Sequence, residues 1–382
     1  MKKLTRKTER FKGCSLGLDV HKAFIEYCVL DEHGEDVEKG RISSGEKELL
    51  KLLDKLKRRG PLQASLEACG CFVWIFDVLV RELGRERVQV AQPARLHVIA
   101  QSMEKNDAND AWWLAYFLHE GRLPTAFVAE GSLRDLRIAS RELRAYTNAR
   151  ADMLRRLKAH LAQAGLRLPQ NWHTSKVRRI TAKQVIAAVQ GERKTALEQL
   201  YKQSMHLTRQ LRFWLARVKE LSRALPEVHT LIEELPGMGA VLGGAVVGEL
   251  GSPKRFHSAK AYAKATGLTP GYRESGGRAK GTGISRQGSA QARWAYTRAV
   301  LSCLRCKRGP GLQVRQWVEE RAKHKHKLKV MVAAGRKLAE GAWRLFAFGE
   351  GFNLTAAFPL RAPLAELPKT QTRGASAPPG HG

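Results

Sequence analysis

The sequence predicts a mixed α/β N-terminal domain, a long helical arm and a mainly α C-terminal domain. Three observations carry this. Residues 13–43 alternate apolar and polar character in three bursts, CSLGLDV, FIEYCVL and DVEKGRISS. Residues 133–224 read as long, charged helices, interrupted near LRLPQNWHTS. A second apolar block then opens at LIEELPGMGAVLGGAVVGEL and runs into a glycine-rich, basic stretch.

The three bursts have strand periodicity, and the turn-rich pentapeptide DEHGE separates the last two, so they predict a three-stranded antiparallel meander. KELLKLLDKLKRR follows as an amphipathic helix closed by Gly60-Pro61. The apolar run LQASLEA predicts a fourth strand, then come a helix at about 71–83, a short strand RVQVAQ and a helix at about 107–120. Strand, strand, strand, helix, strand, helix, strand, helix is the order of the ribonuclease H-like fold. In the arm, Leu143, Leu154, Leu157, Leu161, Leu211, Leu215 and Leu221 recur at spacings that suit a helical hairpin or coiled arm. LPGMG between two apolar helices resembles a helix-hairpin-helix turn, which offers backbone N–H groups to phosphates. The expected divisions are a basic tail at 1–12, the α/β domain at 13–125, the arm at 126–225, the C-terminal domain at 226–348 and a disordered tail at 349–382.

Charge narrows the function. The 382 residues carry 67 Lys and Arg against 36 Asp and Glu, a net charge of +31 that implies a polyanionic partner. No apolar run approaches the ~20 residues that span a bilayer, and MKKLTRKTERFKG lacks a secretory apolar stretch, so nucleic acid rather than membrane is the expected partner and the cytoplasm the expected location. Cys303 and Cys306 form a lone CxxC with no second pair, which reads as helix packing. His324 and His326 in RAKHKHKLK read as part of a phosphate-facing basic helix, and Trp112 and Trp113 as anchors of the last helix of the first domain.

Four carboxylates stand out. Asp19 lies at the end of the first strand, Glu67 ends the fourth, and Asp107 and Asp110 lie one helical turn apart in KNDANDAWW. The first and fourth strands of this fold are neighbours, so the four acids converge. Their repulsion would be relieved by divalent cations. Two ions about 4 Å apart can clamp both oxygens of a phosphoryl displacement, and oxygen ligands suit Mg²⁺ or Mn²⁺. In the C-terminal half, Arg273, Arg278, Lys280, Arg286 and Arg293 surround Ser275, Ser285 and Ser289 among many glycines. Guanidinium groups there would bind phosphate and stabilise the charge that develops when a hydroxyl attacks phosphorus. A basic loop that touches nucleic acid without chemistry is an equal reading of these residues alone.

With GLDVHK, LEACG, NDANDA, LPGMG, GLTP…ESGG, GISRQGSAQAR and AAGRKLAEGAW in this order, the chain resembles the insertion-sequence one-ten transposases and the related Piv-type DNA invertases. The likeness covers roughly residues 13–348. It implies a RuvC-like domain with an Asp-Glu-Asp-Asp set at Asp19, Glu67, Asp107 and Asp110. It also implies a C-terminal transposase domain whose nucleophilic serine precedes a glycine, which matches Ser275, with Ser285 in second place. A structured guide RNA, DNA as substrate and a homo-oligomeric (dimeric or tetrameric) assembly are further implications of the resemblance. The rival readings are a junction-resolving nuclease of the same fold that uses metal-activated water, and a nucleic-acid-binding scaffold without activity.

Overall fold

The first five strands form one mixed sheet. β1 (Cys14–Val20), β2 (Phe24–Leu30) and β3 (Asp36–Ser43) make an antiparallel meander, while β4 (Leu62–Glu67) runs parallel to β1 and β5 (Val88–Ala91) parallel to β4. The order across the sheet is β3-β2-β1-β4-β5. Among the described residues, this unit holds the helices α1 (Glu46–Lys57), α2 (Phe72–Leu83) and α3 (Asp110–His119), with further helical residues at 93, 95 and 96. The computed structural model describes residues 11–93, 95–96, 110–168, 176–275, 278–285 and 287–360. The chain divides after Val128 into two compact units.

The two faces of the sheet are chemically different, and β-alternation makes them so. Leu16, Leu18, Ala64 and Leu66 point to one face, where Leu49, Leu53 and Leu56 of α1 and Ile75, Phe76 and Leu79 of α2 cover them. On α1 these leucines recur at helical spacing, with Glu46 and Glu48 in its first turn and Lys55 and Lys57 in its last, the charge order that complements a helix dipole. Alternate positions carry the small residues Ser15, Gly17 and Ser65, and α3 lies against them. Ser65 Oγ donates to the Leu114 carbonyl at 2.9 Å. A Cβ on Gly17 would sit 2.0 Å from the Ala111 carbonyl oxygen and 2.5 Å from the Ala115 nitrogen, so only glycine admits α3 at this depth. Trp112 Nε1 donates to Asp36 Oδ1 at 2.8 Å, and Trp113 stacks on Phe117 with ring centroids 5.5 Å apart, so both tryptophans anchor α3 as expected.

The second unit is helical apart from one hairpin. Its elements are α4 (Gly131–Gln163), α5 (Lys176–Ala187), α6 (Gly191–Arg223), α7 (Pro226–Glu234), α8 (Ala240–Leu250), α9 (Ala259–Ala265), β6 (Pro270–Ser275), β7 (Arg278–Ile284), α10 (Ala290–Cys303), α11 (Pro310–Ala322), α12 (Lys327–Phe348) and α13 (Leu354–Ala357). At ~1.5 Å per residue, the 33 residues each of α4 and α6 span about 50 Å. The two helices pack along each other. One end of the pair joins a core with α8, α10 and α12. The other end forms a separate cluster in which Leu157, Leu161, Leu197 and Leu200 pack with Ala182 and Ile186 of α5.

The LPGMG turn joins two helices, α7 and α8. Leu235, Pro236 and Met238 are buried, and Gly237 (φ 75°) rests on the Ala299 carbonyl and the Cys303 thiol, while Gly239, just before α8, has open space beside it. Three expectations need correction. Leu215 does not join the leucine seam: it is 36% exposed, near Phe213, which is 60% exposed. The tail does not loosen at 349. Phe352 packs on Gly341, and Phe358 is fully buried against Trp317 at 5.4 Å while its carbonyl accepts from Gln313 Nε2 at 3.0 Å. Two aromatic rings outweigh the Pro- and Gly-rich composition there; residues 361–382 of the expected tail lie outside the described residues. Finally, His324 and His326 sit in the turn between α11 and α12 rather than within a helix, and His326 Nδ1 caps α12 by accepting from the Leu328 nitrogen at 3.3 Å.

Cys303 packs as expected. It is buried beneath Gly237, and burial pushes its thiol up to about 12.

Candidate active site

The acidic face is built by strand register. β1 and β4 pair in parallel with Leu18 opposite Leu66, so Asp19 and Glu67 are each the next residue on neighbouring strands. Because Leu18 and Leu66 point to the α1–α2 face, the two acids point to the face that α3 covers. Asp110 is the first described residue of α3, next to the Ala111 whose carbonyl lies over Gly17, two residues before Asp19. Three of the four acids are thus brought to one end of one sheet face. Asp107 lies outside the described residues. Among the described residues, no three His, Cys, Asp or Glu side chains gather closely enough to hold an ion.

Three residues on this face carried no sequence-based role: His21, Glu26 and Arg41. His21 Nε2 lies 2.9 Å from Asp19 Oδ2, and its ring leans on Phe24 with centroids 4.5 Å apart. Its signal in the sequence is the i, i+2 spacing from Asp19, which returns a side chain to the same face of an extended chain. Glu26 is directly opposite Asp19 on β2, and Arg41 of β3 is directly opposite Glu26 and ion-paired with it. The register therefore lays Glu67, Asp19, Glu26 and Arg41 in a row across four strands. Arg41 also stacks over Phe24, 4.1 Å from the ring centre, and so neutralises Glu26 alone. Asp19, with 18% of its side chain exposed, keeps one oxygen not engaged by His21.

Cys69 and Cys71 flank the same strand end. Their sulfurs are 3.8 Å apart, the Cys69 thiol donates to the Val20 carbonyl at 3.8 Å, and burial raises the Cys69 pKa.

The serine region is a β-hairpin, which the glycine content of the sequence obscured. Positions 276 and 277 connect β6 to β7, and Gly-Gly between two strands is itself a hairpin signal. The register pairs Arg273 with Lys280, Glu274 with Ala279 and Ser275 with Arg278. Positions 273, 275, 278 and 280 therefore share one face of the hairpin, and Ser275 ends its strand at the tip. A register shift near the base is taken up at Gly283 (φ 86°). Gly276, Gly277 and Arg286 lie outside the described residues.

The other serines of the segment are engaged elsewhere. Ser285 is at the hairpin base: its nitrogen donates to the Thr269 carbonyl at 2.9 Å and its hydroxyl lies 3.3 Å from Thr269 Oγ1. Ser289 caps α10 by accepting from the Ala292 nitrogen at 3.1 Å, and it donates to Glu249 Oε2 at 3.3 Å. Glu249, only 7% exposed, also takes a two-pronged bond from Arg141 at 2.6 and 3.0 Å. Arg293 turns inward, with its Nη1 buried against Gly267 and without a hydrogen-bond partner among the described residues. The residue as a whole is half-buried.

An α/β unit with an acidic sheet face, followed by a helical unit with a basic serine hairpin, is the composition of a transposase. Residues 16–165 match the profile of DEDD transposases of the IS110 type, and residues 229–314 match that of the transposase IS116/IS110/IS902 family. The chain belongs to the IS110 family of transposases. It is 27% identical over 144 residues to y4pF/y4sB of Sinorhizobium fredii (strain NBRC 101917 / NGR234), which carries a transposase designation; the alignment covers 36% of this chain and 37% of that protein. It is 25% identical over 137 residues to the transposase for insertion sequence element IS1328 of Yersinia enterocolitica, covering 35% of this chain and 41% of that one. The alignments thus span about two-fifths of each relative. Among the described residues, no helix is long and apolar enough to cross a membrane.

Proposed function

We propose that the protein is an insertion-sequence transposase that cuts and rejoins DNA, with Ser275 as nucleophile and a RuvC-like acidic site in the first unit. One observation carries the reading: adjacent parallel strands deliver Asp19 and Glu67 to the sheet face on which Gly17 seats the start of α3 and Asp110. The acids on this face, with His21 beside Asp19, offer oxygen donors of the kind that a hard divalent cation such as Mg²⁺ or Mn²⁺ takes. Asp19, Glu67 and Asp110, with Asp107, would hold it. Bound there, the ion would supply charge stabilisation to an oxygen leaving phosphorus.

The chain's own groups would divide the remaining work. Ser275 Oγ attacks a backbone phosphorus: an Oγ–P bond forms, one P–O ester bond of the DNA breaks, and the serine proton leaves to solvent while the departing DNA oxygen is protonated. The number of phosphodiesters is conserved, so a DNA hydroxyl can later attack the phosphoserine, rejoin the strand and restore Ser275. Arg273, Arg278 and Lys280, which share the Ser275 face by register, would hold the phosphate and its developing charge. His21 would orient Asp19 through its 2.9 Å contact.

The test is covalent capture. Incubated with DNA carrying the element's ends, any required RNA and Mg²⁺ or Mn²⁺, the protein is expected to form a denaturation-resistant protein–DNA adduct that maps to Ser275. Ser275→Ala should abolish it; an adduct that survives this change, or product with free ends made at full rate without Ser275, refutes the nucleophile and favours the junction nuclease. Asp19→Ala should reduce cleavage by about 10²-fold or more while DNA binding persists. Undiminished cleavage by that variant would discard the acidic site.

A further inference from the structure

The arm carries a groove that the proposed chemistry does not use. It opens between α5 and α6 and encloses about 830 Å³. Arg179, Lys183, Lys202 and Arg209 line it against a single carboxylate, Glu198. Lys183, Lys202 and Arg209 are exposed. Beneath them the lining turns apolar: Ile186 and Tyr201 are buried, Met205 is half-buried, and Ile180 is left 49% exposed at the edge.

A cationic rim above an apolar floor has a specific chemical complement. The floor needs a flat apolar surface and the rim needs spaced anions, and a single nucleic-acid strand offers both in each nucleotide. Duplex DNA would satisfy only the rim, because its base faces are stacked inside. Copies of this chain can associate through other faces, but four cations against one carboxylate give this rim a need for an anionic occupant. We propose that the groove binds a single-stranded segment of DNA, its phosphates on Arg179, Lys183, Lys202 and Arg209 and a base against Ile180, Ile186 and Met205. Glu198 is placed to accept a hydrogen bond from an exocyclic base amine. The choice of DNA rests on the transposase reading above. In that reading the groove holds a strand separated from its complement while cutting and rejoining proceed on other residues.

Photocrosslinking of the full chain tests this directly. A short oligodeoxynucleotide containing 5-iododeoxyuridine is irradiated with the protein and the adducts are mapped by mass spectrometry. Adducts are expected on Tyr201 or Met205. The double variant Lys183→Glu with Lys202→Glu should lower those adducts roughly tenfold while adducts elsewhere persist. Lys158→Glu with Lys219→Glu, the same charge change at exposed arm positions outside the groove, should leave them unchanged. The proposal is overturned if α5 and α6 yield no adduct, if both double variants lose it equally, or if duplex DNA or RNA of the same sequence competes better than the single DNA strand. Ser275 adduct formation on element DNA is scored in parallel. Its persistence without groove crosslinks removes the groove and leaves the transposase reading intact, whereas groove crosslinks without a Ser275 adduct do the reverse.

Discussion

Glu38 shows how a single side chain ties three elements of the first unit and a loop. Its carboxylate accepts from Tyr27 at 2.7 Å, Lys55 at 2.7 Å and Arg59 at 2.8 Å, joining β2 and β3 to α1 and the loop after it. The Lys55 bond first, and the Tyr27 bond next, hold its pKa below the ordinary carboxylate value. A depressed folded-state pKa gives stability that is present above the unfolded value of about 4.3 and lost as pH falls through the folded one. Denaturant unfolding of the wild type should therefore weaken on acidification below about pH 5, and Glu38→Gln should flatten that dependence. Equal pH slopes for the two proteins would remove Glu38 from the account. Tyr27 is pushed up to about 12, mainly by burial, so it stays protonated and remains the donor across that range.

At the scale of elements, α3 and the β6–β7 hairpin each carry residues of the proposed chemistry, Asp110 on one and Ser275 on the other. Gly17→Ala would place a methyl against the backbone of α3, where no rotamer can relieve it. The expected cost is about 1–3 kcal/mol in denaturant titration, with cleavage reduced more steeply than stability because α3 carries Asp110. Wild-type stability and cleavage in that variant would show that α3 need not lie so deep. Much of this element layer was legible in sequence: period-2 bursts gave the meander, and strand ends gave Asp19 and Glu67. The hairpin was not, because glycine and arginine suppress the alternation that marks a strand, and only the Gly-Gly turn hinted at it. Glu26, Arg41 and His21 were hidden for another reason. For Glu26 and Arg41 the relation to Asp19 is a matter of cross-strand register, which no local pattern records, whereas His21 left only its i, i+2 spacing from Asp19.

For the whole molecule, the surplus of +31 makes phosphate contact the leading source of affinity. Binding of a DNA duplex should weaken linearly on a log–log plot against salt. Replacing Arg273, Arg278 and Lys280 together by Gln should reduce the magnitude of that slope by about 2–3, at ~0.9 per phosphate contact. An unchanged slope would show that the hairpin does not meet the backbone. The interior of the second unit shows why such excess charge is compatible with folding. Arg137 turns inward to cap the carbonyls of Gly248 and Glu249 at 2.8 Å each, and Arg141 answers the nearly buried Glu249, so several arginines serve as clasps rather than ligands for DNA.

By itself the sequence determined the charge, the order of strands and helices, and the residue types able to do phosphoryl chemistry, because composition and periodicity are properties of the chain alone. Tertiary structure decided which of those residues meet. It put Asp19 and Glu67 on the α3 face, paired Glu26 with Arg41, separated Ser275 at the hairpin tip from Ser285 and Ser289 in structural bonds, and buried Leu235, Met238 and Phe358. These outcomes depend on register and packing between segments distant along the chain, and a side chain's role follows from the neighbours that such packing brings to it.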